Sequence, residues 1–290
     1  MEFFVAALCG ALDQVEQALV PPSTKPSLAD IHFLNPIQNG TWEDEVPEAE
    51  FIHWAVRAGD NVLEIGANIG RSSIVAASCS QPGGSVVSSE ADPERLLLAK
   101  ANAANAENVR FVPAISASDL YLPLSSLRGG IAASTSSAGG ATMHRVPTIP
   151  PSAIVDKPWD VIIADCEGCF SMLLESVDAP QLFNATRAVV LENDDQNLAR
   201  QARTNMLLRD LGFRSTACVA HPWEGGSDPF RHGCFYALLT RGGPLQPTLQ
   251  FTRRQKEATS PRTNTPARFK EDIHDLYYRV AQGVRSLPSM

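Results

Sequence analysis

The sequence predicts an α/β protein built on a doubly wound, mostly parallel sheet of seven strands. Three observations predict it. Apolar runs at 62–65, 85–90, 108–113, 159–165 and 188–192 alternate with helix-period segments, the pattern of parallel strands joined by right-handed crossovers. The first run breaks at once into a glycine-rich turn, Gly66-Ala67-Asn68-Ile69-Gly70. Three runs end in an acid, at Glu90, Asp165 and Glu192, and the carboxyl ends of strands are where open α/β sheets bind ligands. Two further runs, 213–220 and 233–240, read as closing strands.

Taken in order, residues 1–42 form an extension, 43–240 the main domain and 241–290 a tail. Residues 1–20 have helical spacing and stop at Pro21-Pro22, since proline cannot continue a helix. Residues 21–47, rich in Pro, Asn and acids, read as irregular chain. Glu48 to Arg57 is helical, with Phe51, Ile52, Ala55 and Val56 on or near one face. A helix follows the turn to about Cys79, and another starts at Pro93, well suited to a first helical position. The stretch 122–145 turns to Ser, Gly and Ala and reads as a flexible insertion or loose hairpin. Asn197 to Leu211 is a helix stopped by Gly212. The tail reads as disordered, with a short helix expected over 269–284.

The chain of 290 residues can bury a core of ample size. Apolar content of 44% and charged content of 19% fit a soluble globular composition. The net charge of −8 argues against general nucleic-acid binding. It is unevenly spread: from Arg241 onward nine Lys/Arg face four Asp/Glu, a basic tail on an acidic body. The apolar start lacks a basic flank and soon meets Asp13 and Glu16, so it reads as an amphipathic helix, not a signal peptide. No run is long enough to span a bilayer. The six cysteines show no disulfide-framework spacing, and a reducing, cytoplasmic setting is expected. The pair Cys166 and Cys169 makes a C-x-x-C at a strand-to-helix junction, which the surrounding order of elements marks as coincidence.

The turn carries the most chemistry. Strand, tight glycine turn and helix set backbone N–H groups and a positive helix end beneath a polar ligand. A dinucleotide fingerprint would need a third glycine where Ser73 stands. The turn instead reads acid-x-Gly-x-Asn-x-Gly, with Glu64 at the strand's end. Glu90 lies 24 residues past Gly66, near the offset at which an acid meets ribose hydroxyls in such folds. The fourth strand ends Asp165-Cys166-Glu167-Gly168, the fifth Glu192-Asn193, and the loop between the closing strands holds His221.

The wording Glu-Ile-Gly-Ala-Asn-Ile-Gly resembles the first motif of class I S-adenosylmethionine (SAM)-dependent methyltransferases, most closely the FkbM-like branch. The Asp-x-Glu-Gly block at 165–168 is similar to that branch as well. The resemblance covers roughly residues 43–240. It implies a Rossmann-like methyltransferase fold and SAM as cofactor. It also implies oxygen as acceptor atom, on a small molecule or a glycan- or lipid-like partner. Cofactor contacts are expected from Glu64, Gly66, Asn68, Gly70, Glu90, Ala114, Ile115 and Ser116. Glu64 would attract the cationic end, Glu90 would accept from the ribose, and 114–116 would lie beside the adenine. Asp165 and Glu167 are the expected catalytic pair, positioning the acceptor hydroxyl and taking its proton, ahead of metal binding. Glu192, Asn193 and His221 are acceptor-site candidates. The chain departs from the family where a lysine gives way to Ile163 and an acid to Phe170. Two rival readings follow: a SAM-binding module without catalysis, favoured by a crevice plugged by Phe170, and a nucleotide-dependent oxidoreductase on the same fold.

Overall fold

The computed structural model describes residues 25–116, 118–123, 142–154, 157–193, 195, 197–219 and 234–242. The chain divides into two units, Met1–Phe251 and Thr252–Met290, and the described residues all belong to the first. The expected helices over 1–20 and 269–284 lie outside the described residues, as does His221.

Two helices precede the sheet, α1 (Leu28–Leu34) and α2 (Val46–Ala55). Helix α1 corrects the expectation of irregular chain before residue 47. Its start is a capping box: Ser27 Oγ accepts from Asp30 N at 3.2 Å, and Asp30 Oδ2 accepts from Ser27 N at 3.3 Å. That satisfies two otherwise orphaned donors, so a seven-residue helix holds in a segment too short for a clear period. Then come β1 (Asn61–Ile65), α3 (Arg71–Ser80), β2 (Ser85–Glu90), α4 (Pro93–Asn102) and β3 (Val109–Ile115). Asp92 caps α4, with its Oδ1 accepting from Glu94 N at 2.8 Å and Arg95 N at 3.3 Å. Strands β4 (Leu120–Pro123) and β5 (Met143–Val146) pair antiparallel, so the described ends of the Ser/Gly/Ala segment form a hairpin. The rest is β6 (Thr148–Ile149), a 3₁₀ turn (Pro151–Ile154), β7 (Val161–Ala164), α5 (Cys169–Leu174), α6 (Ala179–Leu182), β8 (Ala188–Glu192), α7 (Leu198–Asp210), β9 (Phe213–Val219) and β10 (Tyr236–Arg241).

The main sheet runs β6-β3-β2-β1-β7-β8-β10-β9. All pairings from β6 to β8 are parallel, while β10 is antiparallel to both β8 and β9. The seven expected strands are all present, and the two-residue β6 adds an eighth at the edge. Strand order reverses between β1 and β7, and that switch point opens a crevice beyond the carboxyl ends.

Each face of the sheet buries its own apolar layer. Val62, Val86, Val161, Ile163 and Val190 join Ile31, Phe51, Ile52, Ile74 and Val75 of α1–α3 on one face. Leu63, Ile65, Ile162, Ala164, Val189 and Leu191 join Phe170, Leu173, Leu182 and Leu208 of α5–α7 on the other. Neighbours on one strand fall in opposite layers, as the two-residue period of a strand requires. Ile163, where the chain departs from the resembled pattern, is fully buried in the first layer.

Two cystine bridges correct the reading of the cysteines. Cys218 bonds Cys234 and Cys166 bonds Cys169, with Cα separations of 5.2 and 5.5 Å. The first joins β9 to the residues entering β10, a neighbourhood that exists only once the antiparallel register forms. Cys79 is buried and free. No described helix is long and apolar enough to cross a membrane.

Candidate active site at the switch point

A cleft of about 150 Å³ opens at the carboxyl ends of β1, β2, β3, β7 and β8. Its floor is the turn after β1. Gly66 N and Ala67 N both donate to Ser89 O at 2.9 Å, and Asp165 N donates to Ile65 O at 3.0 Å. The turn is therefore tied to the strands on either side of it. Gly66 has φ +96°, and a Cβ there would stand 1.4 Å from the carbonyl oxygen of Asp165. Only glycine permits so close an approach. Gly70, at the head of α3, packs in the same way on α4, where a Cβ would stand 3.1 Å from Ala99. Gly70 shapes the turn without lining the cleft.

Asn68 occupies the left-handed region at φ +48°. Its N–H donates to Glu90 Oε2 at 2.7 Å, and its side-chain oxygen accepts from Arg95 at 3.1 Å. Glu90 Oε1 accepts from Asp92 N at 2.8 Å. Burial pushes the Glu90 carboxyl up, and these two backbone donors pull against it. Glu90 is thus a fixed acceptor at the cleft wall, its two oxygens aimed by backbone. Ala114 and Ile115, the last residues of β3, line the same wall. Ser116 does not line it: it is buried, with its N–H on Ile149 O at 3.0 Å and its hydroxyl accepting from Ser118 N at 3.2 Å.

Glu64 corrects an expectation. Strand alternation turns its side chain under α3, where it is fully buried and receives the Ser73 hydroxyl. Burial raises its carboxyl against the hydroxyls of Ser72, Ser73 and Ser88. It holds the underside of the turn and does not line the cleft.

The opposite rim is acidic. Asp165, Glu167 and Glu192 all line it, together with Glu45 from the chain entering α2. Glu167 sits at φ +53°, with Gly168 at φ +91° beside it, the bent backbone that follows β7 and swings Glu167 back over the cleft. Burial raises the Glu167 carboxyl, and Arg95 across the cleft opposes that. Asn193 is held elsewhere: its N–H meets Phe235 O at 2.7 Å and its amide donates to Cys234 O at 2.8 Å. It borders only a small adjoining pocket, with Phe170. Phe170 is buried, its ring 6.1 Å from that of Phe183, and leaves the main cleft open.

Three groups of lining residues were not foreseen. Leu120 and Leu122, from β4, give the cleft an apolar wall. Arg95 supplies its cation, and the Cys166–Cys169 bridge lies on its rim. Leu120 and Leu122 alternate with Asp119 and Tyr121, a short strand signal that the long Ser/Gly/Ala run beside it obscures.

No family model and no curated protein matches the chain. Among solved structures it is similar to precorrin-6y C5,15-methyltransferase from Geobacter metallireducens. The identity is 16%, covering 72% of this chain and 95% of that one, with a TM-score of 0.45. It is similar to Aeropyrum pernix fibrillarin in complex with natively bound SAM, at 12% identity, 68% and 74% coverage and a TM-score of 0.41. An O-methyltransferase from Bacillus cereus in complex with SAH gives 16% identity, 79% and 88% coverage and a TM-score of 0.38.

Proposed function

We propose that the protein is a SAM-dependent methyltransferase that acts on an oxygen of a small-molecule, glycan- or lipid-like acceptor. The observation that carries this reading is the Gly66–Asn68 turn, held against Glu90 at the open switch point. The lining chemistry fits the donor. Ile65, Ala114, Ile115, Leu120 and Leu122 suit a flat apolar ring, Glu90 suits a pair of ribose hydroxyls, and the acid-rich rim suits a cationic end. When bound, SAM supplies a methyl group on a sulfonium.

The chain's own residues then have three tasks. The turn and Glu90 hold the donor in one pose, so that much of the acceleration comes from orientation. Asp165 and Glu167 hold the acceptor hydroxyl, and Asp165 takes its proton as the oxygen attacks. Glu192 extends the acceptor side of the rim. Asn193 contributes by fixing the loop after β8. His221 is the remaining acceptor-site candidate.

Thermal unfolding with SAM, SAH and NAD in turn tests the reading. A ligand at ~100 times its dissociation constant adds about 2.7 kcal/mol of stability. A rise with SAM or SAH and none with NAD is the expected result. No rise with either sulfur ligand overturns the reading, and a rise with NAD alone favours an oxidoreductase. Asp165→Asn should keep the SAH rise yet lower methyl transfer by about 10²-fold or more.

A further inference from the structure

Strand alternation aims three side chains at one spot beneath α2. Asp165 continues the parity of Val161 and Ile163, and Glu192 that of Ala188 and Val190. Tyr236 joins the same layer from β10. Helix α2 packs over β8 and β10, and from it come Glu48 and, at its N-terminal cap, Glu45. One carboxylate oxygen from each of Glu45, Glu48 and Asp165 lies within 4.8 Å of the other two.

A second observation singles out Glu48. It is 3% exposed. Among the described residues its carboxylate meets no hydrogen-bond donor and no ion-pair partner within 4 Å. Glu45, Glu192 and Glu64 repel it, and the Arg71 guanidinium acts against them. Arg71 is itself engaged by Asp44 at 3.1 Å, by Glu45 and by Thr41 O at 2.9 Å. A buried carboxylate among like charges needs compensation. Aimed at two further carboxylate oxygens, it has the geometry of a ligand.

We propose that Glu45, Glu48 and Asp165 form a site for a hard divalent cation of the magnesium, manganese or calcium type, clamping α2 to the carboxyl end of β7. All three donors are carboxylate oxygens, which hard cations prefer. A cation at the middle of a triangle with edges up to 4.8 Å stands no more than about 2.8 Å from each oxygen, within small side-chain adjustments of the 2.0–2.6 Å that these ions take. Water completes its shell on the cleft side, where Glu45 and Asp165 line the opening. The cation sets the position of α2 over the rim, and with it the width of the cleft mouth. Glu45 and Asp165 also line the cleft proposed for the methyl donor, so the cation is tested with no donor present.

The experiment uses the full chain, stripped with chelator at neutral pH. Thermal unfolding is followed with Mg²⁺, Mn²⁺ and Ca²⁺ separately, and Tb³⁺ luminescence is excited through Tyr236. The expected result is a saturable rise with at least one ion and sensitised Tb³⁺ emission. Glu48→Gln should weaken both by about tenfold or more, with the SAH-induced rise left in place. Should Glu48→Gln not fold, Glu45→Gln and Asp165→Asn carry the same test. The absence of any saturable rise and of Tb³⁺ emission overturns the site. So does binding that none of the three substitutions weakens. Loss of the SAH rise in the unsubstituted chain speaks against the methyltransferase reading and leaves the cation result unaffected.

Discussion

The backbone N–H of Asn68 donates to Glu90 Oε2 at 2.7 Å, across a separation of 22 residues. One carboxylate therefore shapes the glycine turn and faces the cleft that the turn floors. Glu90→Gln keeps the size of the side chain but loses one charge-assisted acceptor; Glu90→Ala loses both. The SAH-induced rise in Tm should shrink in the first and vanish in the second. Calorimetric titration of SAH checks the order. Equal binding in all three proteins would remove Glu90 from the donor site.

Gly66→Ala places a methyl group 1.4 Å from the Asp165 carbonyl at a φ of +96°. No rotamer relieves a Cβ clash with backbone, so β1 and β7 must part. The expected cost exceeds ~4 kcal/mol, the range of severe single substitutions. Denaturant unfolding measures it. Gly83→Ala, where nothing lies within 4 Å but φ is +84°, should cost only about 1 kcal/mol.

The Cys218–Cys234 bridge closes a loop with a sequence separation of 16. By loop-closure entropy such a bridge stabilises by about 3 kcal/mol. Cys218→Ser should lower stability by that order under oxidising conditions and make no difference in excess reductant. Peptide mapping without reduction should recover 218 linked to 234, and 166 within one peptide with 169.

Burial pushes the Glu50 carboxyl up to about 7 from its ordinary 4.5. Between those values the folded chain binds more protons than the unfolded one, so this group makes stability fall as pH rises. The slope is at most about 1.4 kcal/mol per pH unit, and solvent reaching this half-buried side chain reduces it. Glu50→Gln should flatten the decline and gain on the parent above pH ~7. Urea midpoints across the range read the difference.

Much of this architecture was legible because its signals are local. Val62 to Ile65 and Ala188 to Glu192 read as buried strands from composition, and Pro93 after Asp92 announced α4. The floor of the cleft was legible for the same reason, since Gly66 and Asn68 sit where a strand breaks. What escaped depends on contacts between distant segments. Glu64 reads as a ligand group in a motif, but the two-residue period turns it beneath α3. The pairing of Cys218 with Cys234 follows from the β9–β10 register, and the contribution of Glu45 and Glu48 from the way α2 crosses the sheet. Helix α1 was missed because its signal is a capping box over one turn, with too few residues for a period.

The β4–β5 ribbon supplies one wall of the cleft through Leu120 and Leu122, yet it stands outside the main sheet on four paired rows. Two-stranded ribbons are marginal by themselves, and this one leans on a small apolar cluster of Ala114, Leu120, Leu122 and Val146. A flat ring seated against those leucines would complete that cluster, so occupancy of the cleft and closure of the ribbon draw on one free energy. Amide exchange at 120–122 and 143–146 should then slow by the same factor that SAH binding lends to the ribbon's closed form. The wall would act as a gauge of whether the cleft is filled.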